Sequence, residues 1–337
     1  MNKILPLAFV LTIGLCSCVN KKNNNMEQQN NAVVYMTTNI TPEGLMKVYD
    51  ALKTTPSKSD KVCVKISTGE PGGHHFLDPK LIGPLVKRDN GTIVECNTSY
   101  GGKRCNTEEH LQAARDHGFC DIANVDIMDS EGEICIPVRD TTYLKHDIVG
   151  KNLQNYTFML NIAHFKGHVA GGFGGVLKNQ SIGCASQNGK CYQHSTGKWD
   201  NLDEFTRHLE QNGYDWFGIM ASKDAFPECM ATCAAAVHDY LKGNIVYINV
   251  MNNLSTECDC DPNPSAPRMK DIGILASLDP VALDKACCDL VFGHHDSEGD
   301  DAQPLRDRIN SRHGTHIIEH AEKIGLGTTN YKLVTVD

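Results

Sequence analysis

Two soft donors and two hard ones stand within four positions at Cys258-Asp259-Cys260-Asp261, in a polar stretch that follows an apolar run. Thiolates and carboxylates this close suit a borderline metal ion or thiol redox chemistry; use in disulfides or an exposed loop is the alternative. Cys258 and Cys260 are too near in sequence for a relaxed bridge with each other, so any bridge would reach a distant partner. A second constellation is Asn161-Ile-Ala-His164-Phe-Lys166-Gly-His168, whose imidazoles, four apart, can converge on one ligand. It runs into Ala170-Gly171-Gly172-Phe173-Gly174-Gly175-Val-Leu-Lys178-Asn179. Free backbone N–H groups beside a cation suit an anion or cofactor, unless the glycines serve packing alone. A third is Ser67-Thr-Gly-Glu70-Pro-Gly-Gly-His74-His75, a carboxylate with imidazoles or simply a turn. Taken together, these residues place a metal at His164, His168, Cys258 and Cys260, and a cofactor or anion against Gly171, Gly172, Gly174, Gly175 and Lys178. Glu70 or Asp279 would act as acid or base with Lys178. The chemistry would be redox or proton abstraction beside a carbonyl, with iron, nickel or zinc, or a non-ferredoxin iron–sulfur cluster. The alternative is capture of a metal or small anion without turnover, with the cysteines in disulfides.

The elements around these loops read as strands alternating with helices. Strand patterns cover 32–36, 61–67, 91–97, 123–129, 133–138, 156–162, 244–250 and 272–277. Helix signals cover 41–52 (Thr41 as cap, Pro42 next), 79–88, 107–117, 203–208, 227–241 and 280–292. This alternation predicts an α/β fold, a mainly parallel sheet flanked by helices, as one large or two intimately packed domains. The polar clusters then fall where ligands gather in such sheets, at the carboxyl ends of strands. Cys229, Cys233 and Cys287 sit in apolar stripes and read as core residues, and His294 to Asp301 as a solvated loop. Neither Gly-x-Ser-x-Gly nor Gly-x-Gly-x-x-Gly occurs, so a hydrolase elbow and a dinucleotide fingerprint both lack support.

Residues 1–18 end an apolar run in Leu15-Cys16-Ser17-Cys18, the pattern of a lipoprotein signal with Cys18 as the lipidated residue. Residues 19–31 are rich in Asn, Gln and Lys and read as a flexible tether, leaving 32–337 for the folded part. The expected location is the cell envelope, with the lipid as the sole membrane contact. Acidic residues outnumber basic ones, 41 to 32, in a chain of 337, which argues against a nucleic-acid partner and leaves a small molecule or metal. Oligomeric state is not encoded in any pattern of this kind.

At His164-Phe-Lys-Gly-His168 with Gly174-Gly-Val-Leu-Lys178-Asn179, at Gly183-Cys184-Ala-Ser with His194-Ser195, and at Cys258-Asp-Cys260 with Asp271-Ile-Gly-Ile-Leu-Ala-Ser277-Leu-Asp279-Pro-Val-Ala-Leu-Asp284, the chain resembles a known family. It is a bacterial and archaeal family of unknown function whose members are often described as iron-sulfur center proteins. The resemblance spans roughly 33–337. Many relatives carry a ferredoxin-like insert with two Cys-x-x-Cys-x-x-Cys-x-x-x-Cys-Pro runs, whereas 196–233 here holds only Cys229 and Cys233. Ferredoxin-type clusters cannot be built from that pair, and a cluster would need scattered thiols such as Cys184, Cys258 and Cys260. The stretch from His168 to Lys178 is also similar to that of nickel-pincer lactate racemases, which implies a cofactor-holding role for Lys178.

Overall fold

The strand runs are apolar on both faces, which suits a sheet covered by helices on each side. The computed structural model describes Met1 and residues 31–337. The expected signal segment, Cys18 and all of the expected tether except Asn31 lie outside the described residues. In chain order come β1 (Ala32–Thr37), α1 (Pro42–Ala51), β2 (Val62–Lys65), α2 (Pro79–Arg88), β3 (Thr92–Glu95), α3 (Thr107–Asp116) and β4 (Val125–Ile127). Next are β5 (Glu133–Ile136), β6 (Asp147–Gly150), β7 (Phe158–His164), β8 (Lys166–His168), β9 (Gly172–Gly174), α4 (Val176–Cys184), α5 (Gln187–His194), α6 (Leu202–Gln211) and α7 (Ala225–Tyr240). Then follow β10 (Ile245–Met251), β11 (Gly273–Ser277), α8 (Pro280–Phe292), α9 (Gln303–Ser311), α10 (His316–Lys323) and β12 (Tyr331–Thr335).

Eight strands form one sheet in the order β12-β1-β11-β10-β7-β2-β3-β4, while β5–β6 and β8–β9 are separate antiparallel pairs. Only the pairings of β11 with β10 and with β1 are antiparallel, so seven strands point one way and β11 alone points back. The expected α/β architecture with a mainly parallel sheet is therefore present. Period-2 alternation divides the core. Met159 of β7 and Tyr247 of β10 pack among residues of α4, α7, α8 and α10. Leu160, Ile162, Val246 and Ile248 pack on the other face with Leu45, Tyr49, Ile82 and Leu85 of α1 and α2. Among the described residues no helix is long and apolar enough to cross a membrane.

Two departures from the sequence reading bear on the site. Because β11 is reversed, its carboxyl end carries Asp279 to the opposite edge of the sheet from the ends of β2, β3, β7 and β10. Asp279 caps α8 there, accepting from Val281 N at 2.9 Å and Ala282 N at 3.0 Å, and it also accepts from Thr328 N. It is not an acid or base of the loop cluster. The glycine-rich stretch, read as an open loop, turns into helix α4 at Val176. Its first N–H groups are satisfied from 108 residues away: Val176 N and Leu177 N donate to the Asp284 carboxylate of α8, both at 3.0 Å. A side chain at Gly175 would meet Asp284 Oδ1 at 2.3 Å, so the glycine makes room for that carboxylate rather than for a ligand.

Candidate active site at the carboxyl edge of the sheet

Strands β2, β3 and β4 run outward to one side and β7 and β10 to the other, so the chain reverses its direction of travel between β2 and β7. A ligand crevice belongs at such a point. A cavity of about 580 Å³ opens there, lined by side chains that follow β2, β3, β7 and β10 and by α4 and α5. Its size suits a small organic molecule.

The floor is a buried ion network. Lys65 ends β2 and Glu95 ends β3, and their charged ends are 3.3 Å apart at 1% and 6% side-chain exposure. Glu95 also accepts from Thr68 N at 2.6 Å and Thr68 Oγ1 at 2.8 Å, and Arg104 Nη1 and His110 Nε2 stand 3.4 and 3.7 Å away. Burial alone would push the Glu95 carboxyl up, but Lys65, His110 and Arg104 outweigh it and hold it well below the usual carboxylate range. Arg104 in turn pairs with Glu70 at 3.0 Å, and Glu70 accepts from Lys103 N at 2.9 Å on its other oxygen. Glu70 is thus a structural anion that fixes Arg104, not a free acid or base. Asn179 ties α4 to the sheet, donating to Lys65 O at 3.0 Å and Asn161 Oδ1 at 2.7 Å.

The thiol group hangs over this floor. Asp259 turns away from the cavity and is held by His164 Nδ1 and Lys166 Nζ, each at 2.8 Å. Its neighbours Cys258 and Cys260 line the cavity instead. Gly167 lets the loop lie flat on β8, because a Cβ there would meet Thr256 O at 2.2 Å. His164 spends its second nitrogen on Asn252 O at 2.6 Å. Both nitrogens are thus taken up by Asp259 and Asn252 rather than turned toward the two sulfurs, and its place in the expected ligand set is corrected to that of an anchor for Asp259. His168, Cys258 and Cys260 do come together, with one donor atom from each within 4.8 Å of the others. The sulfurs themselves are 2.6 Å apart, and both residues are free cysteines.

The electrostatics make this pair unequal. The hydrogen bond from Cys260, opposed by burial and helped by Lys178 and His168, pulls the Cys258 thiol well below its ordinary value. The same partnership, with burial, pushes Cys260 well up. Lys178 Nζ lies 3.8 Å from Cys258 Sγ, and the two sulfurs and Asp259 outweigh burial to keep its ammonium charged. Burial and Lys178 hold the His168 imidazole below its usual value, so the ring is neutral at neutral pH. Its Nδ1 accepts from Gly171 N at 2.9 Å, which leaves the hydrogen on Nε2.

The same geometry tests the metal reading. Two sulfurs with nearby cations suit a soft or borderline ion. His168 does not suit the role of third ligand as it stands. A metal-binding imidazole ordinarily donates its other N–H to an acceptor, whereas this ring receives a hydrogen bond on that side. Coordination through Nε2 requires the ring to change tautomer and shed the Gly171 N–H.

Of the glycines expected to cradle a ligand, Gly171 and Gly172 pack against Met230 and Gly314, and Gly175 against Asp284. Gly174 would meet only the stems of Lys178 and Lys166, at ordinary distances. The cavity wall between His168 and Lys178 comes instead from Val169 and Ala170. Cys184 is buried in the core and is absent from the thiol group. The sequence reading missed Lys65, Glu95 and Arg104. The available signal was a charged residue closing each of two otherwise apolar strands, Val-Cys-Val-Lys65 and Thr-Ile-Val-Glu95.

Fold and site together define an α/β protein with a thiol–imidazole–lysine cavity at the carboxyl edge of its sheet. The family of the domain of unknown function DUF362 matches residues 62–289, and the chain belongs to that family. The matched span runs from β2 into α8 and holds every cavity-lining residue named above. Among curated proteins none matches. Solved structures similar to the chain include the lactate racemase apoprotein from Thermoanaerobacterium thermosaccharolyticum, at 13% identity and a TM-score of 0.39 over 90% of this chain and 83% of that one. Another is a protein from Thermotoga maritima, at 15% identity and a TM-score of 0.42 over 73% of this chain and 57% of that one.

Proposed function

We propose that the cavity is the active site of an enzyme that works on a small organic anion, with the Cys258–Cys260 thiol pair as its reactive centre. The observation that carries this reading is the placement of a stabilised thiolate, a charged lysine and a neutral imidazole in one cavity of about 580 Å³. Lys178 and Lys190 both face the cavity, and among the described residues no carboxylate lies within ion-pair distance of either ammonium. They bind and orient the anion, while Trp216, Phe217 and Met220 wall the cavity on its apolar side and exclude water. The reaction class is redox at the thiol pair or isomerase-type proton abstraction from a carbon beside a carbonyl.

A metal ion fits this centre through Cys258 and Cys260, with iron, nickel or zinc as the chemically matched choices. When bound, it would polarise a carbonyl or carry an electron. His168 stands beside the pair, with one ring nitrogen within 4.8 Å of both sulfurs. Metal content and ultraviolet-visible spectra of anaerobically purified protein test this reading. Expected is a bound metal that Cys258→Ser with Cys260→Ser removes without unfolding the chain. If those substitutions leave the metal content and spectrum unchanged, the thiol-centred metal site is wrong.

The Gly171–His168 hydrogen bond favours a second reading, in which the cavity takes a small anion at the lysines with no metal and no turnover. Localisation is a proposal resting on sequence alone: Cys18 carries a lipid that holds the protein at the cell envelope. Metabolic labelling with a clickable fatty acid, lost on Cys18→Ala, is the expected result; labelling that survives the change rules it out.

A further inference from the structure

Outside the residues that line the thiol cavity, at the N-terminal end of α7, a second group of donors has no part in the proposed reaction. His313 follows α9, and His316, Glu319 and His320 belong to α10. One nitrogen from each of His313 and His316 and one carboxylate oxygen of Glu319 lie within 4.8 Å of one another. The rings of His313 and His316 stack, with centroids 4.9 Å apart and planes at 17°. Behind each ring stands a carboxylate from the neighbourhood of α7. His313 Nδ1 is 2.6 Å from Asp224 Oδ1, and His316 Nε2 is 2.8 Å from Glu228 Oε1. Those carboxylates orient both rings, and the second nitrogen of His316, Nδ1, faces Glu319 Oε2 at 3.3 Å, so a bound cation would take the place of the proton between them. A carboxylate behind each imidazole is the arrangement that orients and strengthens histidine ligands.

An independent observation comes from His320, which is 2% exposed and has no hydrogen-bond partner on either ring nitrogen. Its Nε2 stands 3.0 Å from Asp140 Oδ2, out of line for a hydrogen bond, and its Nδ1 is 3.8 Å from Glu228 Oε1. A buried imidazole with unspent nitrogens faces the carboxylate that supports His316. The donor set is therefore imidazole and carboxylate, with a further imidazole in reserve and no sulfur.

We propose that His313, His316 and Glu319 bind a borderline divalent cation of the zinc class, with Asp224 and Glu228 as the carboxylates that orient the two rings. Two imidazoles and a carboxylate match zinc, cobalt or nickel rather than calcium or magnesium. The ion ties the start of α10 and the turn before it to α7, and because Glu319 is exposed it keeps positions open to water or to an outside ligand.

Equilibrium dialysis of the full chain against zinc alone tests this, in a Cys258→Ser, Cys260→Ser background that silences the thiol cavity. Expected is one zinc per chain, lost on His313→Ala with His316→Ala. Asp224→Asn with Glu228→Gln should weaken binding by about 10–100-fold. Glu319→Gln changes an exposed residue, so it tests the ligand set without threatening the fold; it too should weaken binding. Cobalt in place of zinc should show no thiolate charge-transfer band. Zinc affinity that is the same with and without His313 and His316, or unaltered by Glu319→Gln, overturns the proposal. Loss of metal from the cysteine variant bears on the thiol cavity alone, so the two sites fail separately.

Discussion

Two groups of side chains bring imidazole together with anionic donors, and they differ in what holds the far side of each ring. In the cavity, His168 receives a hydrogen bond from a backbone N–H on Nδ1, and the ring stands beside two sulfurs. Beside α10, His313 and His316 each set one nitrogen against a carboxylate, Asp224 or Glu228, and the other nitrogen of His316 faces Glu319. The first ring is set to donate to a thiolate and the second pair to ligate a cation, although residue types alone would class both groups as metal sites. Burial differs as well. The charges of the cavity floor pair with one another almost out of reach of solvent, whereas the α10 carboxylate Glu319 is exposed, so equivalent substitutions should have unequal consequences.

The largest expected difference is in stability. Glu95→Gln removes the one carboxylate shared by Lys65, Arg104 and His110 and should cost about 3–5 kcal/mol in urea unfolding, while Glu319→Gln at the exposed rim should stay within about 0.5 kcal/mol. Equal costs would break the contrast. Glu95 also sets a pH dependence. Its carboxyl lies below its ordinary value of 4.5 when folded, so its contribution is complete above that pH and is lost as the pH falls through the lower, folded value.

Next is Asp284→Ala, which strands two N–H groups at the start of α4 and should cost about 2–3 kcal/mol. It should also loosen Lys178 within the cavity while leaving zinc binding at α10 intact. Smaller still, Lys178→Met should slow alkylation of Cys258 at neutral pH by about tenfold, read from rate-against-pH curves that shift upward. An unshifted curve would mean that Lys178 does not stabilise the thiolate.

The smallest effect concerns His316. Burial would lower its imidazole, but Glu228 and Glu319 outweigh that and raise it above 6.5. Without metal, the stability it contributes is present in acid and is lost as the pH rises through the folded value, an effect under about 1 kcal/mol at this partly solvated site. With zinc the sign reverses, because the ion needs unprotonated rings and its stabilisation grows with pH. Thermal unfolding with and without zinc, at acid and mildly alkaline pH, separates the two.

Much of the scaffold was legible. α1, α2 and α8 announce themselves by a capping side chain followed by proline, and β7 and β10 by runs that are apolar apart from Asn161, Asn249 and the closing His164. α4 did not, because Val176 to Cys184 contains Asn179, Ser181 and Gly183 and takes its cap from α8, a contact no local pattern records. The thiol pair and Lys178 were visible as chemistry-bearing residues near turns. His164 and Asp279 were misplaced for reasons of direction: one is turned toward Asp259 and Asn252, and the other is carried to the wrong edge by a reversed strand. Lys65, Glu95 and Arg104 escaped notice because a buried charge is recognisable only when its counter-charges are known.

The carboxylate that seats the first turn of α4 has a consequence for biogenesis. Synthesis runs from the N-terminus, so Lys178 leaves the ribosome long before Asp284 exists. Until then nothing in the nascent polypeptide can hold Val176 and Leu177 as Asp284 does, and the pocket's lysine stays unanchored. Maturation of the reactive centre therefore waits until α8 has been made, and shortened chains ending before α8 should carry the cysteines without the environment that activates them.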